Sequence, residues 1–481
     1  MKKIIKIIKQ KWLRNLSLTI LLIAIIVCGY LAVNYGIQQA NITDLDMTKG
    51  KIYSISQETE DKLKNLNKSV TIYTYNMQEY VMDFANRYPK INSNIKVERL
   101  ENLVTNTEWK TTYGIDENSS FLVISSGEKE KILTNYDLVT YDYTTYEEID
   151  VTEEAITNAI LDVTVENKPK IYFLTGHNMY SDQYFEYFQS DLKNEANEVE
   201  TLDLLKTAKV PDDCKVLVIT ALKEDITELE RDAILAYSKK GGDILLLSDP
   251  NFDKVNLSNF QKVLDEYGVS ISNGVILEAD SNQMVSGAPN FVISTITSGS
   301  SIVKDINMQM NICLINAAKL SFASSEELEK KNVTLEEFAH VSQKAFYRTD
   351  LTANSQTKNS SDEDAGGSTI GAMLTKKMDE STSSRLVVFA NTAFATNSQI
   401  QVNTQYYMYA IDFYNNKDIL LNSVSYLTER EDTITIRKNV ETVTYTVSAT
   451  QNRIILGIIF AVPIFIVIVG IVVWLSRRRK K

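Results

Sequence analysis

The sequence predicts an α/β protein: two transmembrane helices flanking a small thioredoxin-like α/β module and a doubly wound, mostly parallel α/β domain. Three observations carry this. Both ends of the chain are apolar and edged by basic residues. Residues 70–134 run strand, helix, strand, hairpin. From residue 170 to 268, near-continuous apolar strands alternate with amphipathic helices, the pattern of a parallel sheet covered on both faces.

The ends come first. Lys2, Lys3, Lys6, Lys9, Lys11 and Arg14 precede the apolar run 16–33. The run 454–475 stops at Arg477, Arg478, Arg479, Lys480 and Lys481. Each run is long enough to cross about 30 Å of hydrocarbon as a helix, and short basic flanks stay on the cytoplasmic side. The expected arrangement puts both termini in the cytoplasm and the main domain outside the cell membrane. The segments are then 1–37, basic flank and first span; 38–150, the small module; 151–430, the larger domain; 431–453, a return segment; and 454–481, second span and basic tail. Within the second span, Gly457, Ala461 and Gly470 are small enough to let another helix approach closely and are candidate contacts to a permease.

The whole chain has 50 basic and 62 acidic residues, net −12. Eleven of the bases lie in the two terminal flanks just named, so the remainder holds 39 bases against all 62 acids. A surface this acidic is repelled by nucleic acid. Three cysteines do not form a framework. Cys214 and Cys313 read as buried thiols, with a disulfide between them left open.

In the small module, Ser56 is placed to cap a helix leading to Leu63 and Leu66. Residues 70–75 read as a strand, 79–88 as a helix, 95–100 as a strand, and 121–125 with 130–134 as a hairpin around Gly127. No Cys-x-x-Cys is present, so thioredoxin-type redox chemistry is not expected. Residues 153–165 place Ala155, Ile156, Ala159, Ile160 and Val163 on one helical face.

The larger domain reads as strands at 170–174, 199–203, 216–219, 243–247 and 386–390, with helices at 183–194, 227–239, 260–267 and 415–427. Thr227 and Glu230 have capping-box spacing. Gly241-Gly242 closes that helix in the left-handed conformation. Residues 273–385 are less regular, and the polar stretch 353–368 reads as a flexible surface loop. Residues 433–437 alternate as a strand leading back to the membrane.

Ligands of a doubly wound sheet bind beyond the carboxyl ends of its strands. Polar turns stand at those ends: Thr175-Gly176-His177, Thr220, Ser248-Asp249 and Asn391-Thr392. Thr175, Gly176, His177, Thr220, Asp249 and Asn391 are therefore expected to line one crevice. Each also has a structural explanation: a turn histidine holding a hydrogen bond, an Asp-Pro turn, a glycine required by the backbone. The chemistry-bearing motifs are missing. There is no phosphate loop, no strand-to-helix serine elbow, no clustered metal ligands, and only two histidines, His177 and His340. No catalytic residue, metal or cofactor is expected. Tyr136, Tyr141, Tyr143 and Tyr146 form an aromatic cluster suited to a sugar, a protein partner, or packing between modules.

Four segments carry a family resemblance: Tyr53-Ser54-Ile55-Ser56 followed by the strand at 70–73; Lys170-Ile171-Tyr172-Phe173-Leu174-Thr175-Gly176-His177; Gly241 to Pro250; and Asn422 to Thr428. In order and spacing the chain resembles the auxiliary subunits of ABC transporters related to the gliding-motility protein GldG. Those proteins carry Gly-Glu after the histidine, where Asn178-Met179 stand here, and an acidic turn where Ala390-Asn391-Thr392 stand. The resemblance implies a class I amidotransferase-like domain without catalytic residues, working beside a separate permease and ATPase. The function expected is a non-catalytic, membrane-anchored auxiliary subunit that contacts membrane lipid and binds a substrate or a cell-envelope ligand. An envelope hydrolase or sugar-processing enzyme, and a structural envelope scaffold, are the alternatives.

Overall fold

The computed structural model describes residues 54–429, apart from 102–110, 112–113, 117, 143–146, 298, 304–305, 307–310, 351–356 and 402–406, together with position 28. Apart from Ser54 and position 28, the described residues belong to one compact unit, Ile55–Asn439. The proposed spans at 16–33 and 454–475, the return strand at 433–437, Gly457, Ala461, Gly470, Tyr143 and Tyr146 lie outside the described residues, position 28 apart.

The fold class is corrected. Among the described residues no helix is long and apolar enough to cross a membrane. The longest, Thr152–Thr164, has 13 residues and so spans about 20 Å, short of hydrocarbon thickness. The two flanking helices are therefore dropped from the fold class, which is mixed α/β with many strands.

The first part is a four-stranded sheet. Helix α1 (Gln57–Leu63) begins at Ser56, whose hydroxyl accepts from the Thr59 amide. Strand β1 (Val70–Tyr75), helix α2 (Glu79–Ala85), β2 (Ile95–Arg99), β3 (Phe121–Ser126) and β4 (Lys129–Thr134) follow. The order is β2-β1-β3-β4; β1 and β2 are parallel, and the other pairs are antiparallel. Helix α3 (Thr152–Thr164) packs on β3 and β4, so Ile156 and Ile160 join Ile72, Leu122 and Ile124 in one core. Buried Glu153 ties α1 to α3, accepting from the Ser56 amide at 2.7 Å and the Thr59 hydroxyl at 2.6 Å.

The second part is a ten-stranded sheet. Five strands are parallel: β5 (Lys170–Leu174), β6 (Glu198–Leu202), β7 (Cys214–Ile219), β8 (Asp243–Leu247) and β13 (Ser383–Phe389), in the order β6-β5-β7-β8-β13. Beyond β13 the sheet turns antiparallel, through β12 (Thr369–Lys377), β11 (Val333–His340) and β9 (Ala288–Ile296). Strand β10 (Ile312–Ile315) and the two-residue strand Met284–Val285 also pair with β9. The expectation of a mostly parallel sheet is thus half right. Residues 273–385, which read as irregular, supply the antiparallel half. Their register shifts around Glu337, Ala339 and His340 break the alternation by which a strand is recognised.

Helices α4 (Glu186–Asn194), α5 (Glu228–Lys239), α6 (Ser258–Asp265) and α7 (Asn416–Leu427) belong to this part. Helix α5 has the expected capping box. Gly241 takes φ +86°, but its neighbour is a glycine for another reason: a Cβ on Gly242 would lie 2.3 Å from the Tyr237 ring. The polar stretch 353–368 is not a plain loop. Glu363–Asp364 pairs with Phe346–Arg348, and Arg348 and Asp362 form a buried ion pair at 2.6 Å. Cys214 and Cys313 are free and buried, and burial pushes the Cys214 thiol up to about 12. Tyr136 is 90% exposed.

At the opposite end of the parallel strands from the polar turns, Asp243 is fully buried and paired with Arg385 at 2.6 Å. Arg385 also donates to the carbonyls of Tyr426 and Leu427, so one guanidinium joins β8, β13 and the end of α7. Arg385→Met would strand a buried carboxylate and is expected to cost about 3 kcal/mol, measurable as a lower urea midpoint with an unchanged slope.

Candidate functional site

Parallel register brings the ends of β5, β7, β8 and β13 to one edge of the sheet, and the loops there hold one another by hydrogen bonds. The centre is Asp249, just after β8. Its Oδ1 accepts from the Thr392 amide at 2.7 Å and from Asn391 Nδ2 at 3.2 Å. Its Oδ2 accepts from the Tyr180 hydroxyl at 3.0 Å. Burial holds the Asp249 carboxyl above the usual carboxylate range, and the donated hydrogen bonds oppose that shift. Tyr180 is likewise pushed up, first by burial and then by the Asp249 charge.

Asn391 and Thr392 follow β13 and are both buried. The Asn391 amide also donates to the Ile315 carbonyl and its oxygen accepts from the Phe394 amide, which locks the turn. The Thr392 hydroxyl donates to the Leu247 carbonyl at 2.8 Å and accepts from the Ala221 amide at 3.3 Å. That second bond draws in the loop after β7. Thr220, at the end of β7, is 2% exposed, and its hydroxyl has no hydrogen-bond partner among the described residues.

The loop after β5 divides. Thr175 bonds sideways to Leu202 of β6 through both its amide and its hydroxyl. Gly176, His177 and Asn178 all take positive φ, +106°, +52° and +51°; the first suits only glycine, and the other two form a tight turn closed by the Met179 amide on the Gly176 carbonyl. His177 then points its Nε2 at Glu230 Oε1, 2.8 Å away, with both side chains buried. The other Glu230 oxygen accepts from the amide and hydroxyl of Thr227. His177 thus braces the start of α5. The same loop reaches the centre through Tyr180, whose ring lies 5.7 Å from Lys223 Nζ.

Of the six crevice residues expected, Asp249 and Asn391 touch directly, and Thr220 lies next to the Ala221 amide that bonds Thr392. Thr175, Gly176 and His177 stand at the same strand ends; the side chains of Thr175 and His177 bond to β6 and α5, while the His177 carbonyl accepts from the Lys223 amide at 3.1 Å and so ties this turn to the loop after β7. Sequence reading missed Tyr180, Lys223 and the second role of Glu230, and it named Thr392 only as part of the polar turn after the last parallel strand. Glu230 showed only as a cap. Tyr180 and Lys223 lie on loops with no period, and only the folded chain brings them together.

Residues 168–423, more than half of the chain, match a family described as an ABC-type uncharacterized transport system. The protein belongs to that family of ABC transporter auxiliary proteins. No curated protein matches the chain. Among solved structures, it is similar to the mmIFT52 N-terminal domain, at 14% identity and TM-score 0.38, over 54% of this chain and 97% of that one. It is also similar to a putative ThuA-like protein from Bacteroides uniformis, at 12% identity and TM-score 0.32, over 55% of this chain and 93% of that one. These two likenesses are too low to bear on function.

Asp249→Ala would leave the Thr392 amide, Asn391 Nδ2 and Tyr180 hydroxyl without their acceptor and is expected to cost about 2 kcal/mol. Asp249→Asn keeps an acceptor for the Thr392 amide and is expected to cost less than about 1 kcal/mol. Urea unfolding of both variants checks this. The sign of the pH dependence follows from the raised pKa. Folding raises this pKa above its unfolded value, so the stability this group contributes is fully present below the unfolded pKa and is lost as pH rises through the folded pKa. The asparagine variant lacks that loss.

Proposed function

We propose that the chain is a non-catalytic auxiliary subunit of an ABC transporter, of the gliding-motility type, acting with a permease and a separate ATPase. The family match supplies the transporter. The observation that carries the non-catalytic reading is how the strand-end polar groups are used. The Asp249 carboxylate is spent on joining three loops, and the histidine–carboxylate pair is spent on α5, whose cap shares the same carboxylate. A general base needs a free basic atom facing a substrate. Here the candidate base holds a structural carboxylate.

On this reading the strand-end loops that Asp249, Asn391 and Thr220 hold in place present the binding surface for a substrate or a cell-envelope partner, which leaves without chemical change. Gly457, Ala461 and Gly470 are the proposed permease contacts. The described domain works on the outer side of the cell membrane, a placement supported by the basic residues that edge both apolar ends.

The tagged chain, solubilised from membranes in mild detergent, is expected to bring down a multi-span permease and an ATPase. Gly457→Leu combined with Ala461→Leu is expected to reduce that yield several-fold while expression is unchanged. Recovery of the chain alone would refute the transporter assembly. For the placement, cysteine introduced at Ser360, which is exposed, should react with a membrane-impermeant maleimide in intact cells. Protection until the cells are lysed would put the domain on the other side.

A further inference from the structure

A row of tyrosines runs outward from the strand-end loops. It begins at Tyr180, the donor to Asp249. The Tyr180 and Tyr184 rings meet edge-on, 5.8 Å between centroids. Tyr184 stands in the 3-10 turn Asp182–Phe185 that leads into α4, and Tyr187 in the first turn of α4. Three positions apart on continuous helical backbone, they share a face, while Phe185 and Phe188 are buried. The Tyr187 ring then meets that of Tyr409 edge-on at 4.7 Å.

Tyr409 belongs to a two-stranded ribbon, β14 (Gln399–Gln401) and β15 (Tyr407–Tyr409), in which Gln399 lies opposite Tyr409 and Gln401 opposite Tyr407. The central residues Ile400 and Met408 are buried and pack with Cys313, Ala410 and Phe413. Alternation therefore turns Gln399, Gln401, Tyr407 and Tyr409 to the other face. Ribbon and helix are tied together, because the Asn397 amide donates to the Tyr184 carbonyl at 2.9 Å and the Ala410 amide donates to the Ser398 carbonyl at 2.9 Å. Tyr184, Tyr187 and Tyr407 are 43%, 37% and 59% exposed, and both glutamines are exposed.

Charge decides the kind of occupant. In a chain where 23% of residues are charged, the outward ribbon face carries none: it has two primary amides and two phenols. A charged macromolecule is recognised by opposite charge, which this face does not offer. Exposed Asp182 and Glu186 flank Tyr184 and Tyr187; they repel an anion and can accept from hydroxyl groups. Lys417, at the start of α7, is held by Asp412 at 2.7 Å and Asp191 at 3.4 Å. What remains is a neutral ligand rich in hydroxyls. The negative face of an aromatic ring suits the weakly positive C–H face of a sugar, and a planar amide offers a donor and an acceptor side by side to neighbouring hydroxyls.

We propose that Tyr184, Tyr187, Tyr407 and Tyr409, with Gln399 and Gln401, form a surface that binds a neutral polysaccharide chain. The rings stack on successive sugars and the amides hold their hydroxyls. The proposal rests on the reading of this domain as one that binds a cell-envelope partner without changing it, and it names the class of that partner.

The test runs the full chain, purified in a detergent without a sugar head group, over columns of cellulose, chitin and mannan, with heparin and polylysine columns beside them. The expected result is retention on at least one of the neutral polymers and elution by the matching soluble oligosaccharide. Tyr184→Ala combined with Tyr407→Ala is expected to weaken that binding roughly tenfold with Tm unchanged. Tyr136→Ala removes a more exposed ring outside the row and is expected to leave binding as it is. Passage of the wild type through all three neutral columns would overturn the proposal, as would equal retention of the double variant. Binding to polylysine or heparin alone would overturn it too, and would mark a docking face for a charged macromolecule. If the double variant does not fold, Gln401→Ala takes its place, and undiminished binding then counts against the site. Recovery of a permease with the chain is a separate readout, so the transporter assembly and the sugar surface can fail independently.

Discussion

A carboxylate as buried as Asp249 must be given donors, and the fold draws them from loops far apart in sequence. Tyr180 comes from the loop after β5, Asn391 and Thr392 from the loop after β13. Thr392 in turn receives the Ala221 amide from the loop after β7. Four strand ends are thereby joined through one acidic side chain and one hydroxyl. The parallel strands set the loops side by side, and the shared hydrogen bonds fix their conformations. The opposite end of the sheet is organised in the same way, with buried Asp243 paired to Arg385 and through it to α7. A sheet of buried apolar strands is bounded at each end by a carboxylate whose cost of burial is offset by bonds between elements.

The polar groups at the carboxyl ends of the parallel strands are engaged with one another, and Lys223 Nζ lies 5.7 Å from the ring of Tyr180 beside them. Glu230 shows the same economy. A single carboxylate caps α5 and holds His177, so the histidine that looked most like chemistry from the sequence serves the helix start.

In the parallel half, strands at 170–174 and 243–247 were legible to the residue because every position is apolar or nearly so and glycine or proline marks the ends. In the antiparallel half, β11 and β12 carry mixed polarity and shifted register, and a two-residue period is lost across each shift. The polar stretch near 360 had the composition of a loop, yet Asp362 finds a buried partner in Arg348, a pairing that composition cannot show. Gly242 likewise looked like half of a helix stop, while its need for hydrogen in place of a side chain comes from the ring of Tyr237.

The sequence by itself determined the α/β class, the helix caps at Ser56 and Thr227, the strands of the parallel half and the residues at their carboxyl ends. Those features depend on local rules: periodicity, capping spacing, and the punctuation of glycine and proline. Only the tertiary structure decided that half of the large sheet is antiparallel, that Tyr180 joins Asp249, and that Glu230 takes His177. Each of these depends on which distant segments the register places in contact, and a hydrogen bond across 69 or 53 residues leaves no mark in the local pattern that either partner occupies.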